Sequence, residues 1–246
     1  METTGKDHPE QPLKSISYSR VLNLSREIHP GMPTWPNDPQ VEFETVSEFD
    51  AQGYFTRRFS MGEHSGTHIN SPNSFHANGA SIDQYSAESL VVEASVVDVA
   101  EQVRRNPDYA MTLDDLSRWE GEHVLMPTGS LVLLHTGWQA KWDDADEYLG
   151  SGPDGNLHFP GFGFDVVQFL LNDRNIGGFG IDTSGVEPGN NPSFTVNRLV
   201  LDQPRIVLEN LCNLDRLPAT GVTLVIGVLR LRGGTGSPAS VLAFLP

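Results

Sequence analysis

The sequence predicts a single domain of the α/β class, and three observations predict it. After residue 80, short runs of β-branched and aliphatic residues alternate with amphipathic helical stretches, which is the pattern of a sheet with helices packed against it. Before residue 80 the pattern indicates β-strands alone. The chain has 246 residues, enough for one large core, and shows no linker. We therefore expect one domain over residues 16–246, preceded by a polar, disordered tail over residues 1–15.

Strands are predicted where a short apolar or alternating run is bounded by turn-forming residues. In the third of these runs, Phe55, Phe59 and Met61 alternate with Arg58 and Ser60. The predicted strands cover residues 21–24, 41–46, 54–61, 94–99, 131–135, 176–181, 205–209 and 222–231.

Helices are predicted between several of these strands. Thr112 and Asp115 resemble a capping box, which opens the first helix. The second is predicted over residues 164–174 and the third over residues 194–201. The aliphatic side chains of the third would face inward, which leaves Asn197 free to face a cavity.

The charge and the cysteine content exclude several classes of protein. The net charge is −16, from 32 acidic and 16 basic residues, whereas a nucleic-acid-binding surface requires clustered Lys and Arg. The single cysteine, Cys212, excludes an intramolecular disulfide framework and fits a reducing compartment. No secretory signal is visible, and the apolar runs are far shorter than the about 20 residues that span a bilayer. We expect a cytoplasmic protein with a small-molecule substrate and no nucleic-acid or membrane partner.

His64 and His68 lie four residues apart around Gly66, and the amide of Asn70 follows two residues later. Imidazole nitrogen is a general ligand of transition metals, and a carbonyl oxygen can complete one side of such a site. In a straight strand the histidines would lie about 13 Å apart, near the limit for one ion. Gly66 allows the bend that is needed, because glycine adopts positive φ. The alternative is that the pair arose by chance, since this spacing is common.

Two carboxylates that end predicted strands are candidates for chemistry. Glu209 follows a buried apolar run, where an ionised carboxylate is costly unless it meets a cation. It is therefore either a metal ligand or the partner of Arg198 or Arg205. Asp182 ends a glycine-rich strand that a ligand can approach closely, and it is either catalytic or a turn-forming cap.

Aromatic residues in two irregular loops are candidates for the walls of a binding site. Trp35 belongs to the proline-rich segment 30–36 and either lines a pocket or caps the core. Phe159 and Phe162 belong to a loop with Gly and Pro, where they form a lid, fill the core or line an oligomer interface. The chain lacks the Gly-x-Ser-x-Gly motif and the third glycine of a dinucleotide fold, which argues against a serine hydrolase and a Rossmann dehydrogenase.

Several short motifs in this order carry a resemblance to a known family. They are Leu24-Ser25, the segment 30–36, His64-Ser65-Gly66-Thr67-His68, Gly79 with Ile82-Asp83, Gly180-Ile181-Asp182, Leu208-Glu209-Asn210-Leu211 with Asn213-Leu214, and Gly236-Ser237-Pro238. Over residues 21–246 the chain resembles the putative cyclase family of metal-dependent hydrolases, which includes bacterial kynurenine formamidase and isatin hydrolase. The resemblance implies a swivelling β/β/α fold, a homo-oligomer (dimer or tetramer), and hydrolysis of amide or lactam bonds with zinc or manganese.

The resemblance also implies site residues, and this chain departs from several of them. The family's first metal site uses two histidines and an aspartate, which fall here on His64, His68 and Asn70. Two further family histidines fall on Ser74 and Asn197.

Besides these two histidines the family has a glutamate, and this chain keeps it as Glu209. We expect His76, two residues past Ser74, to replace the lost histidine. A carboxylate can bridge two ions, whereas the Asn70 amide offers one good oxygen and no charge, so we expect one metal ion at most.

We predict a metal-dependent hydrolase of a small cyclic amide, lactam, lactone or ester. His64, His68, Asn70 and Glu209 would hold the ion, His76 or Asp182 would move the proton, and Glu209 would ligate the ion or orient the water. The expected substrate-binding residues are Trp35, Ser74, Phe159, Phe162 and Asn197. The alternative is a metal-free cyclase or small-molecule-binding protein of secondary metabolism, in which the altered site only shapes a pocket.

Overall fold

A computed structural model describes residues 15–153 and 155–246. Within them the strands are β1 (Arg20–Asn23), β2 (Glu42–Ser47), β3 (Thr56–Ser60), β4 (His68–Asn70), β5 (Val91–Asp98), β6 (Ala110–Met111), β7 (Leu131–His135), β8 (Gly161–Phe162), β9 (Gly178–Ile181), β10 (Ile206–Glu209), β11 (Val222–Val228) and β12 (Gly236–Leu245). The α-helices are α1 (Phe49–Gln52), α2 (Ala100–Arg105), α3 (Leu113–Glu122), α4 (Ala145–Leu149), α5 (Phe164–Asp173) and α6 (Thr195–Val200). No described helix has the length and apolar character needed to cross a membrane.

Eight strands form one sheet in the order β1-β12-β11-β5-β7-β9-β10-β4. The middle strands β5, β7, β9 and β10 run parallel, and the outer pairs are antiparallel. The long strand β12 also pairs with β4, which closes the sheet into a barrel. The α/β class is therefore confirmed, while the swivelling arrangement stays a prediction.

The barrel is apolar on both faces, which explains the unbroken apolar sequence of β7. Leu131 and Leu133 belong to a core cluster shared with β10, β11 and β12, on the inner face of the barrel. Val132 and Leu134 belong to a second cluster that contains residues of α3 and α5, on the outer face. The helices therefore pack against the outside of the barrel.

Strand alternation and register place the polar side chains of the predicted site. On β4, Ile69 joins the inner core, so His68 and Asn70 project to the outer face. In the antiparallel pair of β4 with β10, His68 lies directly opposite Glu209. In the pair of β4 with β12, Asn70 lies opposite Gly236. His68 and Glu209, which are 141 positions apart in sequence, thus become neighbours across the pair of β4 and β10.

The predicted strands and helices are confirmed to within a few residues, but the strands β4, β6, β8 and β12 and the short helices α1, α2 and α4 were missed. The structure places β4 in a segment of three residues, too short to show a period. β12 begins with Gly236, Ser237 and Pro238, which are residues typical of turns. The predicted disordered tail lies outside the described residues except for Ser15.

The hairpin of β2 and β3 forms a separate two-stranded sheet, in which Phe59 is exposed and Phe43 packs against the core. Phe49 and Phe55 stack on each other beside it, with ring centroids 6.2 Å apart. The expected homo-oligomer stays a prediction.

Candidate active site

His68 has a fixed tautomer. Its Nδ1 lies 2.9 Å from the carbonyl oxygen of Gly66, and because a carbonyl can only accept, Nδ1 carries the hydrogen. In the neutral ring the Nε2 atom therefore holds the lone pair. Gly66 has φ +62°, so the predicted bend of the loop is confirmed.

The lone pair of His68 points into a buried space beside a carboxylate. Nε2 lies 3.0 Å from Oε2 of Glu209, and the side chains of the two residues are only 4% and 6% exposed. Nε2 nevertheless makes no hydrogen bond. Burial works to raise the pKa of Glu209, but a protonated His68, together with Asn197, outweighs it, and the pKa falls below its usual value. A cation therefore belongs between these two atoms, either the proton of an imidazolium or a metal ion bound by the neutral ring.

His64 bonds to its own neighbours. Its Nδ1 lies 2.7 Å from Oδ1 of Asn70, and its Nε2 lies 2.9 Å from Oγ1 of Thr235. The rings of His64 and His68 meet edge to face, with centroids 5.3 Å apart. Burial, with a smaller contribution from His68, lowers the pKa of His64 below its usual value.

Asn197 joins two carboxylates through one amide. Its Nδ2 donates to Oε1 of Glu209 and to Oε1 of Glu187, each at 3.2 Å. These two acceptors fix the orientation of the amide, so its Oδ1 accepts from Nδ2 of Asn70 at 3.4 Å. The backbone N–H of Val186 donates to the same oxygen of Glu209 at 3.2 Å.

These polar groups form the floor of a cavity of about 240 Å³ with aromatic walls. Four rings line it, those of Trp35, Phe75, Phe159 and Phe194. The ring centroid of Trp35 lies 6.2 Å from that of Phe159 and 5.8 Å from that of Phe194. A small set of polar groups below apolar walls is typical of a small-molecule site.

The chain is similar in sequence to proteins of one known family. The sequence model of the Putative cyclase family matches residues 22–188. The chain belongs to this family. It is 32% identical over 221 residues to isatin hydrolase from Roseibium aggregatum, covering 85% of this chain and 83% of the relative. It is 26% identical over 223 residues to kynurenine formamidase from Salinibacter ruber, covering 89% and 94%.

Solved structures that resemble this chain come from the same cyclase family as its sequence relatives. Isatin hydrolase A from Ralstonia solanacearum superposes with a TM-score of 0.88 at 32% identity, covering 92% of both chains. A potential metal-dependent hydrolase with cyclase activity superposes with a TM-score of 0.71 at 25% identity, covering 92% of this chain and 98% of the other. Both sequence relatives are hydrolases by name, so this chain is a hydrolase of the cyclase family.

Most of the residues predicted for the cyclase-family site line the cavity. They are Trp35, His64, His68, Asn70, Ser74, Phe159, Asn197 and Glu209. The Ser74 hydroxyl donates to the carbonyl oxygen of Thr235, which holds the two cavity-lining segments together. Glu209 meets His68 rather than Arg198 or Arg205, because both guanidinium groups donate to backbone carbonyl oxygens instead.

Three predicted site residues lie outside the cavity. His76 follows a short 3₁₀ turn that directs its ring away, and its Nε2 lies 2.9 Å from the carbonyl oxygen of Arg198. Asp182 is fully buried and accepts from Thr136 and from the backbone N–H of Gln139. It has the capping role that was the alternative to catalysis, and burial raises its pKa.

Phe162 is the third of them. It fills the core, where its ring meets that of Phe179 edge to face at 5.0 Å. Strand β8 turns it away from the cavity that Phe159 lines. The two phenylalanines of this loop therefore have different roles.

Three other residues of the site carry little signal in the sequence. Glu187 lines the cavity, and its position in a Gly- and Pro-containing loop resembles that of many surface glutamates. Asn210 donates from Nδ2 to the carbonyl oxygen of Gly66 at 2.8 Å, which supports the same oxygen that fixes His68. Thr235 donates from Oγ1 to Glu63 at 2.8 Å and faces His64.

The donors present fit one divalent ion. Two donors bound to the same ion at about 2.1 Å lie about 3.0 Å apart at the right angle of octahedral coordination and about 3.4 Å apart at the tetrahedral angle. The separation of His68 Nε2 and Glu209 Oε2 is 3.0 Å, which matches the octahedral angle and needs only a small opening for the tetrahedral one. In residues 15–153 and 155–246 no three His, Cys, Asp or Glu side chains form a group that could hold an ion. An ion here therefore depends on the amide oxygen of Asn70 as well.

Replacing Gly236 with alanine is expected to displace the His64 ring of the site. An added Cβ would lie 2.6 Å from the carbonyl oxygen of Ile69 and 2.7 Å from Cε1 of His64, so the ring would have to move. We expect the free energy of unfolding to fall by about 1–3 kcal/mol and kcat/KM to fall about tenfold or more. Thermal denaturation and steady-state kinetics measure both. Gly227→Ala is the control, because its Cβ would meet nothing closer than 3.5 Å, and equal effects of the two variants would contradict the argument.

Proposed function

We propose that this protein hydrolyses the C–N bond of a small aromatic amide or lactam with the help of one divalent ion, zinc or manganese. His68 and Glu209 would hold the ion first. Asn70 and His64 would join them by exchanging their mutual hydrogen bond for the ion. The observation that carries the proposal is the buried Nε2 atom of His68, which has no hydrogen bond and lies 3.0 Å from the carboxylate oxygen Oε2 of Glu209. The identity and names of the relatives support the reaction class.

The residues around the ion have separable tasks. A bound ion supplies a Lewis acid that polarises the carbonyl group and lowers the pKa of a water molecule. The Gly66 carbonyl oxygen keeps the His68 ring in the tautomer that leaves Nε2 unprotonated. Asn197 holds Glu209 in place through Oε1 and leaves Oε2 directed towards His68.

The walls favour a flat, apolar substrate. Trp35, Phe159 and Phe194 present ring faces and edges that can stack on an aromatic ring and exclude water from the reacting bond. Because the polar groups lie on one side, the amide or lactam group of such a substrate would face them. A lactone or ester of similar shape would fit the same cavity.

Turnover of a defined panel tests the proposal. We expect hydrolysis of isatin or of an aryl formamide, loss of activity after chelation, and recovery after addition of zinc or manganese. Elemental analysis of protein purified without chelators should give about one ion per chain. Absence of stoichiometric metal together with inertness towards all amides, lactams, lactones and esters would contradict it.

One observation favours a second candidate, a metal-free cyclase or small-molecule-binding protein. His64 Nδ1 and Asn70 Oδ1 satisfy each other at 2.7 Å, so half of the expected metal ligands have partners without any ion. This candidate predicts ligand binding or turnover that is indifferent to EDTA. The chelation experiment therefore separates the two functions.

A further inference from the structure

Glu187 is a carboxylate at the floor of the cavity with only 3% of its surface exposed. It belongs to the loop that follows β9, and this loop is fixed on both sides. Phe162 donates its backbone N–H to the carbonyl oxygen of Val186 at 2.7 Å, and Gly189 donates to that of Phe159 at 2.9 Å. Gly161 leaves no room for a Cβ, which would lie 2.3 Å from the carbonyl carbon of Glu187. The carboxyl group is therefore held in one place.

Asn197 supplies the hydrogen bonds of this carboxyl group. Its backbone N–H lies 2.9 Å from Oε2 of Glu187, and its Nδ2 lies 3.2 Å from Oε1. The same Nδ2 is shared with Glu209. Within residues 15–153 and 155–246, Glu187 forms no ion pair with a lysine or arginine that would hold it ionised. Two carboxyl groups thus share one amide in a buried space, and one proton between them relieves their repulsion.

The surroundings of Glu187 favour its protonated form. Burial raises the pKa of Glu187 to about 7, and the charge of Glu209 adds to the rise, while the backbone N–H of Asn197 opposes it. The titratable groups that line the cavity with Glu187 are Asp38, His64, His68 and Glu209. A buried carboxyl group that still carries its proton near neutral pH can serve as a general acid.

We propose that Glu187 is the acid that protonates the leaving nitrogen when this enzyme cleaves a C–N bond. The inference rests on the proposed hydrolase function. The oxygen of water bonds to the carbonyl carbon and keeps its two protons. The Glu187 carboxyl proton passes to the nitrogen as the C–N bond breaks. The acid product then gives the surplus proton on its water-derived oxygen to the Glu187 carboxylate, so atoms and charge balance.

The inference explains how the site works without the histidines that the family resemblance placed at Ser74 and Asn197. Neither side chain can deliver a proton at neutral pH as an imidazole does. His76 lies outside the cavity, as described above. Glu187 lies next to Asn197 and borders the cavity on the same side as Glu209.

The variant Glu187→Gln tests the inference on two kinds of substrate. An aniline or lactam nitrogen is a poor leaving group and needs the proton, whereas 4-nitrophenolate leaves without it. We expect kcat/KM to fall about 100-fold or more for an aryl amide or lactam and by less than about fivefold for a 4-nitrophenyl ester. Metal content should be unchanged, because Glu187 is separated from the ion by Asn197.

The pH profile provides the second measurement. An acid works only while it is protonated, so wild-type kcat/KM on the amide should fall as the pH rises through about 7. This fall should be absent in Glu187→Gln and present in Glu187→Asp, which also guards against a variant that fails to fold. Equal loss on amide and ester, loss of bound metal, or an unchanged pH profile in Glu187→Gln would overturn the inference. A wild-type protein inert towards every amide and lactam would instead refute the proposed function.

Discussion

Replacing His68 with alanine is expected to abolish both metal binding and turnover. The variant loses the Nε2 atom that lies 3.0 Å from Oε2 of Glu209, and only the Oε1 atom of that buried carboxylate keeps hydrogen bonds, from Asn197 and Val186. We expect less than about one-tenth of an equivalent of metal and a fall in kcat/KM of about 1000-fold or more. Elemental analysis and steady-state kinetics on an aryl amide measure the two effects.

His76→Ala is the matched control for this variant. Both residues are histidines of the same segment, but the His76 ring lies outside the cavity and bonds to the carbonyl oxygen of Arg198. We expect its metal content and kcat/KM to stay within about twofold of the wild type, within the ordinary range for a substitution away from the site. If His76→Ala were as damaging as His68→Ala, the proton-transfer role first predicted for His76 would return and the present site would be wrong.

Replacing Asn70 with aspartate is expected to tighten metal binding and to weaken the metal-free protein. The new carboxylate adds a second negative charge beside Glu209, which strengthens attraction to a divalent ion by about 10- to 100-fold. Without the ion, the variant loses the hydrogen bond from Nδ2 to Asn197 and places two carboxylates near each other. We expect the metal-free protein to lose about 1–3 kcal/mol of unfolding free energy.

Thermal denaturation with and without metal separates the two effects of Asn70→Asp. At saturating zinc or manganese, the stabilisation by metal should exceed that of the wild type by about 1.4–2.7 kcal/mol. Asn73→Asp serves as the control, because that residue lies on the same loop and its Nδ2 donates to the backbone of Gly233 rather than facing the ion. Unchanged or weaker metal affinity in Asn70→Asp would show that this position does not ligate.

The presence of His68 and Glu209 in the cavity could be predicted from the sequence because their geometry is mostly local or set by a strand. His68 belongs to a glycine-hinged loop, and Glu209 ends a buried strand, where a lone carboxylate needs a partner. Helical periodicity also predicted that Asn197 faces a cavity. What the pattern could not show is the register that sets His68 opposite Glu209, since this depends on closure of the barrel through β12.

The residues that were placed wrongly show the limit of reasoning from sequence proximity. His76 is only two residues from Ser74, yet one turn of 3₁₀ helix directs its ring elsewhere. Phe162 and Phe159 share a loop, but alternation through the short strand β8 sends one to the core and one to the cavity. Glu187 was missed for the opposite reason, since its burial arises from long-range contacts with β8 and α6 that no local pattern reports.

The central claim is that His68 and Glu209 face each other across a divalent ion. Anomalous X-ray diffraction at the zinc or manganese edge, on crystals of protein grown with that metal, tests it most directly. We expect a single anomalous peak per chain, from an ion that lies within bonding distance of Nε2 of His68 and of Oε2 of Glu209. A map without a peak between these two atoms, or with the ion bound elsewhere in the cavity, would contradict it.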